Sequence, residues 1–174
     1  MPDVFTKAKR SEVMSRIRSR GNRDTELALA KLFRAHRITG WRRQRILNFR
    51  SSQRQLAHAS VRAVQARDGV RADSRRLLQV QVDFVFPKLE LAIFVDGCFW
   101  HGCPKHATWP ANRAAWWRKK ILGNQARDAL VTRTLRRAGW RVLRVWEHEL
   151  AKKTERKLII RIQRVFDTSP RPFP

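Results

Sequence analysis

Two apolar stretches separated by a Pro-Lys turn predict a β-hairpin near the middle of the chain. Alternation divides residues 80–86 into two faces, one with Val80, Val82, Phe84 and Phe86 and the other with Gln81, Asp83 and Val85. This pattern is typical of a half-buried strand, and residues 89–95 supply the second strand of the hairpin. The sequence therefore places one acid, Asp83, on the second face of the first strand.

Helical periodicity on both sides of the hairpin predicts a mixed α/β fold. Residues 25–37 and 154–166 each have the pattern of one helix, and residues 112–138 that of a helix in two pieces around Gly123. Residues 140–146 are apolar on both faces, which predicts a third and central strand. With 174 residues, the chain is long enough for one domain with a buried core.

Residues 48–79 interrupt this pattern, because they are rich in Arg, Ser, Gln and Ala and poor in large apolar side chains. Such a stretch adds little to a core, so we interpret it as an Arg-rich insertion or loop within a domain that spans residues 23–168. Residues 1–22 form a basic N-terminal arm, either a solvated tail or an arm that follows phosphates through Arg16, Arg18 and Arg20. The Pro-rich residues 169–174 form a C-terminal tail.

The charge balance favours a polyanionic partner. The chain has 39 Lys and Arg against 14 Asp and Glu, a net charge of +25. Nucleic acid is the commonest partner of so basic a protein, and an ordinary small-metabolite enzyme is disfavoured. Two cysteines cannot form a disulfide scaffold, and no long apolar run or N-terminal hydrophobic stretch occurs. We therefore expect a cytoplasmic protein without a membrane partner.

Residues 98–117 concentrate sulfur and imidazole groups. Cys98, Cys103 and His106 follow a C-x4-C-x2-H pattern, and His148 comes at the end of the third predicted strand. Two thiolates and two imidazoles form a donor set that suits a structural zinc ion. The alternative is a pair of reduced core cysteines beside surface histidines, but the clustering favours zinc.

Two acids and an imidazole lie close to this cluster. Asp83 lies on one predicted strand, Asp96 ends the next, and His101 follows five residues later. Mg²⁺ binds one or two carboxylates together with phosphate oxygens and can activate water at a scissile phosphate. Imidazole titrates near neutral pH, so His101 is a candidate base for that water. The alternative is an ion-paired strand aspartate and a turn aspartate.

The aromatic residues divide into two groups. Rings beside arginine can stack on bases or wedge between base steps. We expect the DNA-facing group to comprise Phe99, Trp100 and Trp117, with Arg118 beside them. We expect the core group to comprise Trp116, Trp140 and Trp146.

Residues 95–106, Val-Asp-Gly-Cys-Phe-Trp-His-Gly-Cys-Pro-Lys-His, resemble the signature of the very short patch repair (Vsr) DNA mismatch endonucleases. Five further segments resemble the family in the same order: Ser-Arg-Ile-Arg-Ser-Arg-Gly-Asn (15–22), Val-Asp-Phe-Val-Phe-Pro (82–87), Trp-Trp-Arg-Lys-Lys-Ile (116–121), Asn-Gln-Ala-Arg-Asp (124–128) and Gly-Trp-Arg-Val-Leu-Arg-Val-Trp-Glu (139–147). The resemblance covers nearly the whole chain except residues 48–79.

The resemblance implies a restriction-endonuclease-like fold of the PD-(D/E)XK superfamily, a central mixed sheet flanked by helices with a structural zinc site. It implies a Mg²⁺-dependent enzyme that nicks one DNA strand 5′ of the thymine in a T:G mismatch left by deamination of 5-methylcytosine. The implied partner is double-stranded DNA with a mismatch, with other mismatch-repair proteins as further candidates. We expect a monomer. We also expect a bacterial-type location in the cytoplasm, associated with the nucleoid.

The resemblance also implies roles for individual residues. Asp83 resembles the acid that holds Mg²⁺, and Val95 takes the place whose main-chain carbonyl is a further ligand. His101 resembles the general base, and Glu26 the helix acid that supports the water network. The implied zinc ligands are Cys98, Cys103, His106 and His148, and the rings implied to enter the duplex are Phe99, Trp100 and Trp117.

Two positions and one segment depart from the family pattern. Asp96 stands where some members have His, so it is either an extra catalytic metal ligand or a structural residue. Val82 replaces a usual Pro, which we expect to matter little. Residues 48–79 replace a short Pro/Gly connection and could be a looped-out insertion, an added phosphate-binding element or a lesion that misplaces Asp83. Because a long surface loop costs little entropy, we favour a tolerated insertion with catalysis retained.

Two other functions are consistent with the sequence. The first is a non-catalytic basic zinc protein that binds nucleic acid. Asp83 and His101 argue against it, since a pure binder needs neither. The second is a homing or restriction-type nuclease on the same fold, which stays open because recognition loops vary on a shared fold.

Overall fold

The computed structural model describes residues 25–50 and 77–168. Several predictions concern residues outside these ranges: the arm 1–22 with Arg16, Arg18 and Arg20, the middle of the Arg-rich segment (51–76), and the tail 169–174. The described chain forms three helices and four strands: α1 (Glu26–Ala35), β1 (Arg42–Arg50), β2 (Leu77–Phe86), β3 (Leu91–Asp96), α2 (Ala114–Arg137), β4 (Arg141–Trp146) and α3 (Glu155–Asp167). Short 3-10 turns follow β2 and β4.

The four strands form one mixed sheet in the order β1-β2-β3-β4. β1 and β2 are antiparallel, as are β2 and β3, which confirms the predicted hairpin. β4 lies next to β3 and parallel to it. α2 connects the two strands, because the chain must return from the end of β3 to the start of β4.

Helices cover both faces of this sheet. On one face, α1 and α3 pack through residues such as Phe33 and Ile162 against Phe84 and Phe86. On the other face, Leu135 of α2 packs in a second apolar cluster with strand residues. The arrangement confirms the predicted α/β class with a mixed sheet between helices. No helix in the described ranges is long and apolar enough to cross a membrane.

β1 is a strand that the sequence analysis did not predict. Residues 48–50 belong to β1 and residues 77–79 to β2, so both ends of the predicted 48–79 insertion are paired strand rather than loop. The pattern is hard to recognise because β1 is rich in arginine and its Ile46 side chain is 54% exposed. The pairing with β2 along almost the whole length of β1 is non-local, and local sequence does not report it.

Two further predictions about the elements were wrong. α2 is one continuous helix rather than two pieces, because a single helical glycine costs only about 1 kcal/mol and Asn124 is fixed by tertiary contact with the Trp100 carbonyl. β4 lies at the edge of the described sheet rather than at its centre. Its two arginines reach polar partners beyond the strand: Arg141 donates to the Leu89 carbonyl, and Arg144 to Asp96.

At Asp83, the alternate side chains of β2 change from one face of the sheet to the other. Val80 and Val82 pack on the α2 side, as predicted for one face, but Phe84 and Phe86 pack on the opposite side against α1 and α3. The ladder with β1 has bridges on either side of Asp83 but none at it, and the facing residue of β1, Gln44, has a positive φ of 51°. The predicted alternation therefore fails at this point because the backbone is locally irregular.

Candidate active site and metal centre

Asp83 lies where β2 and β3 separate. The last paired residues of the two strands on this side are Phe84 and Ile93. Beyond them the Val95 N–H donates to Asp83 Oδ2 at 2.9 Å, so a side-chain carboxylate takes the place of a strand carbonyl. The carboxylate thus occupies a fork between the two strands, next to the main chain of Val95.

Glu26, in the first turn of α1, is a buried acid close to Asp83. Its side chain accepts hydrogen bonds from Gln44 at 2.5 Å and Arg43 at 3.2 Å, both on β1. The residue is only 7% exposed. The unpredicted strand β1 therefore supplies the polar groups that fix this acid, and its negative charge raises the pKa of Asp83.

Burial is the largest influence on Asp83 and raises its pKa from 3.8 to about 6. The Val95 N–H lowers it, whereas the nearby charges of Glu26 and Asp96 raise it further. Several acids thus share a confined region, where a bound divalent cation would favour the ionised carboxylate.

We expect Asp83→Asn to stabilise the metal-free protein at neutral pH. Because the Asp83 pKa is higher in the folded than in the unfolded chain, its contribution to stability is present at low pH and is lost as the pH rises from 3.8 through about 6. The cost to the wild type is about 2–3 kcal/mol at neutral pH. Urea unfolding of both proteins at about pH 4.5 and about pH 7.5 measures it, and a stability difference independent of pH would contradict the expectation.

His101 belongs to a network of charged groups from three parts of the chain. Its Nδ1 lies 2.5 Å from Asp128 Oδ2, on α2, and 3.6 Å from Asp96 Oδ1, at the end of β3. Arg144 of β4 joins the two acids. It donates to both oxygens of Asp96, at 2.5 and 2.6 Å, and its Nη2 lies 3.0 Å from Asp128 Oδ1.

The predicted sulfur and imidazole residues converge in a second cluster. One donor atom from each of Cys98, Cys103, His106 and His148 lies within 4.8 Å of all the others. His148 Nδ1 is 3.2 Å from the Cys98 sulfur and 3.7 Å from the Cys103 sulfur, and His106 Nδ1 is 3.8 Å from the Cys103 sulfur. Donor atoms around a tetrahedral zinc ion lie about 3.3–3.8 Å apart, so these spacings suit one.

The segment that carries His101 is held by side chains of α2. Asn124 donates to the Trp100 carbonyl at 2.8 Å, and Gln125 donates to the His101 carbonyl at 3.1 Å. Gly102 follows with a positive φ of 62° and lies directly against this helix. An irregular loop thus receives its shape from one helix face on one side and from the cysteine and histidine cluster on the other.

We expect Gly102→Ala and Gly123→Ala to change stability in opposite directions. A Cβ at residue 102 would come 2.8 Å from the buried Ile121 side chain and 2.6 Å from Gln125, at a φ that disfavours alanine. The loss should be about 1–3 kcal/mol. Gly123 lies inside α2, and a Cβ added there would meet nothing within 4 Å, so alanine should add about 0.5–1 kcal/mol. Denaturant unfolding of both variants checks the signs, and a stabilising Gly102→Ala would contradict this account.

Four aromatic rings form a cluster next to His101. Phe99, Trp100 and Trp117 are half-buried and pack with centroid distances of 5.1–5.9 Å. Trp116 was expected in the core, but it is 55% exposed and its ring packs against Trp117. Trp140 is half-buried and packs against the α2-side core cluster, as expected, and Trp146 is half-buried. Arg118 is exposed beside the rings.

Comparison with known proteins shows which family part of this chain resembles. Residues 42–107 match the family described as DNA mismatch endonuclease Vsr. The chain is Vsr-like. It is 42% identical to the DNA mismatch endonuclease Vsr of Escherichia coli (strain K12), over 37% of this chain and 42% of that protein.

Other relatives of this Vsr-like chain are named as nicking enzymes. It is 49% identical to the Type II nicking enzyme V.NaeI of Lentzea aerocolonigenes, over 41% of this chain and 43% of that protein. A longer match, 29% identical, covers 88% of this chain and 87% of the Type II nicking enzyme V.NmeAIP of Neisseria meningitidis. The matches to V.NaeI and to two other Type II nicking enzymes span 43–52% of the length of those proteins, so the chain covers about half of each.

The structure brings most of the predicted site residues of the Vsr-like chain together, in two neighbouring groups. The first combines Asp83, Val95, Glu26, Asp96 and His101, and the second contains the four cysteine and histidine side chains. Sequence reasoning missed Asp128 and Arg144 as members of the first group. Asp128 stood in a segment that resembled the family, but neither residue has a local pattern that distinguishes it from other charged residues.

Proposed function

We propose that this Vsr-like chain is a Mg²⁺-dependent DNA endonuclease that nicks one strand 5′ of the thymine in a T:G mismatch. The observation that carries the proposal is the buried carboxylate of Asp83 in the fork between β2 and β3, bonded to the Val95 N–H. Its pKa is raised by the charge of Asp96, which lies 3.6 Å from His101. The names of the relatives support nicking, and the net charge of +25 supports a DNA partner. The fold we assign is restriction-endonuclease-like, of the PD-(D/E)XK superfamily.

The residues around Asp83 fit a magnesium ion. Carboxylate and main-chain carbonyl oxygens are the hard donors that Mg²⁺ prefers, and Asp83 and the Val95 carbonyl would provide them. Burial raises the pKa of Asp83 most, and the charges of Glu26 and Asp96 raise it further, so a bound cation would favour the ionised carboxylate. When bound, the ion would polarise the scissile phosphate and neutralise part of its charge. Glu26, fixed by Gln44 and Arg43, lies beside this position and would orient water there.

His101 would act as the general base. Its Nδ1 lies 2.5 Å from Asp128 Oδ2. A carboxylate only accepts hydrogen bonds, so Nδ1 would carry a proton and Nε2 would be the atom that accepts one from the attacking water. Asp128 fixes the tautomer and orientation of the ring. Arg144 holds Asp128 in turn, at 3.0 Å.

Asp96 is assigned a structural role rather than a role as an extra metal ligand. Both of its oxygens accept hydrogen bonds from Arg144, and the residue is only 3% exposed. A metal ion would have to displace the half-buried Arg144 guanidinium to reach the Asp96 carboxylate. We therefore assign Asp96 to positioning Arg144, and through it Asp128 and His101.

The four-residue cluster is assigned as a structural zinc site. The donors Cys98, Cys103, His106 and His148 are of the type and number that zinc takes in closed sites. Burial raises the pKa of the Cys98 thiol and lowers that of the His148 imidazole. Zinc would fix the segment between Cys98 and His106, which includes Phe99, Trp100 and His101.

A nicking assay on end-labelled duplexes tests the proposal. One duplex carries a single T:G mismatch and its control is fully matched, and each is incubated with Mg²⁺ or without any added divalent ion. We expect a Mg²⁺-dependent nick 5′ of the mismatched thymine and no cut in the matched duplex. Binding without cutting under all conditions would overturn the enzyme assignment in favour of a binding protein.

Sequence-specific nicking of matched DNA is the second candidate. It is supported by the relatives that are named Type II nicking enzymes. A set of matched duplexes with varied sequence distinguishes the two, because cutting of a particular matched site at least as fast as the mismatch would favour this candidate.

A further inference from the structure

Trp116 is the most exposed member of the aromatic cluster. Its side chain is 55% exposed, although it is one of the largest apolar groups of the chain. It packs edge-to-face against Trp117, with 4.7 Å between the ring centroids. The indole is thus partly covered by another ring and otherwise exposed.

The cluster extends from the residue that precedes His101 to this exposed ring. Trp100 precedes His101 directly in the chain, and its ring lies 5.9 Å from that of Trp117. Trp117 also contacts Phe99, at 5.1 Å. Trp116 extends the series outward by one ring, so a molecule that reached His101 along the cluster would meet Trp116 at the outer end.

The charges around Trp116 define what it can contact. Exposed cations flank it at the start of α2: Arg113, Arg118, Lys119 and Lys120. The sole acid of α2 is Asp128, which is bonded to His101. A partner that offers both negative charge and flat aromatic faces fits this surface, and DNA provides phosphates and bases in that arrangement.

We propose that Trp116 stacks on a nucleobase of the bound DNA and favours duplexes whose bases unstack easily. The inference rests on the proposed function and adds a specificity-determining residue to it. Stacking requires a base that has left the helix or lies at an opened step, and opening costs least at a mismatch. Removal of the ring should therefore weaken binding to mismatched DNA more than binding to matched DNA.

Fluorescence anisotropy with labelled duplexes tests the inference on the full chain, without added divalent ion so that no cutting occurs. Trp116→Ala should bind the T:G duplex about tenfold more weakly than the wild type, in line with the loss of one base–aromatic stack. Its affinity for the matched duplex should fall by about threefold or less, because phosphate contacts dominate there. Trp116→Phe should recover most of the lost affinity, because it retains a ring.

Trp109→Ala is the matched control, because Trp109 is 53% exposed and shows no contact with the ring cluster among the described residues. The inference would be overturned if Trp116→Ala and Trp109→Ala lost the same affinity for the T:G duplex, or if Trp116→Ala bound that duplex as tightly as the wild type. Thermal unfolding verifies that each variant keeps the fold. A wild type that binds but never nicks would contradict the proposed function alone, because the binding comparison still decides the role of Trp116.

Discussion

Asp83→Asn should reduce nicking of a T:G duplex by about 10³-fold or more, because loss of the metal-binding carboxylate removes several kcal/mol of transition-state stabilisation. The amide keeps the size of the side chain and can still accept from the Val95 N–H, so the fork between β2 and β3 should survive. Without divalent ions, the same variant should be more stable than the wild type at neutral pH, since burial opposes ionisation of Asp83. A more stable protein that has lost its activity would separate a catalytic role from a structural one.

Single-turnover nicking with Mg²⁺ in excess is the appropriate measurement, with affinity for the duplex measured separately without divalent ions. Asp167→Asn is the matched control, since Asp167 is an exposed acid at the end of α3 and contributes no group to the site. It should nick at the wild-type rate. Activity of Asp83→Asn within about tenfold of the wild type would contradict the assignment of Asp83 as the metal-binding acid.

Removal of zinc should destabilise the fold as a whole. The cluster closes the segment that carries His101, and Cys103 is only 2% exposed. Structural zinc sites contribute folding free energy directly, so we expect a loss of about 5 kcal/mol or more. For a chain of this size, that corresponds to a melting temperature lower by about 10 °C or more. Thermal unfolding before and after treatment with a zinc chelator measures the effect.

Two exposed histidines provide a matched pair for this prediction. His106 is one of the four residues of the cluster, whereas His36 pairs with Glu155 and is not one of them. His106→Asn should lower both the zinc content per chain and the melting temperature, and His36→Asn should leave the zinc content unchanged. A zinc content below about 0.2 per chain in purified wild type, with an unchanged melting curve after chelation, would favour two reduced cysteines instead.

Much of the site was accessible from the sequence because its chemistry is local. The C-x4-C-x2-H spacing fixes three of the donors within nine residues, and the family-like segment 95–106 adds His101 and the rings. The alternation of residues 80–86 was sufficient to place Asp83 on a strand. The turn at Pro87 predicted that this strand pairs with the next one, and such a hairpin places Asp83 close to Val95.

The sequence alone determined the residue types of the site, the hairpin and the α/β class, because short-range periodicity and spacing encode these properties. Only the tertiary structure decided where β2 exchanges its faces, why α2 continues through Gly123, and which groups hold His101. Strand β1 forms through pairing with β2, and it positions Glu26 through Gln44 and Arg43. Asp128 and Arg144 join the site through contacts between residues far apart in the chain, and no local pattern records such contacts.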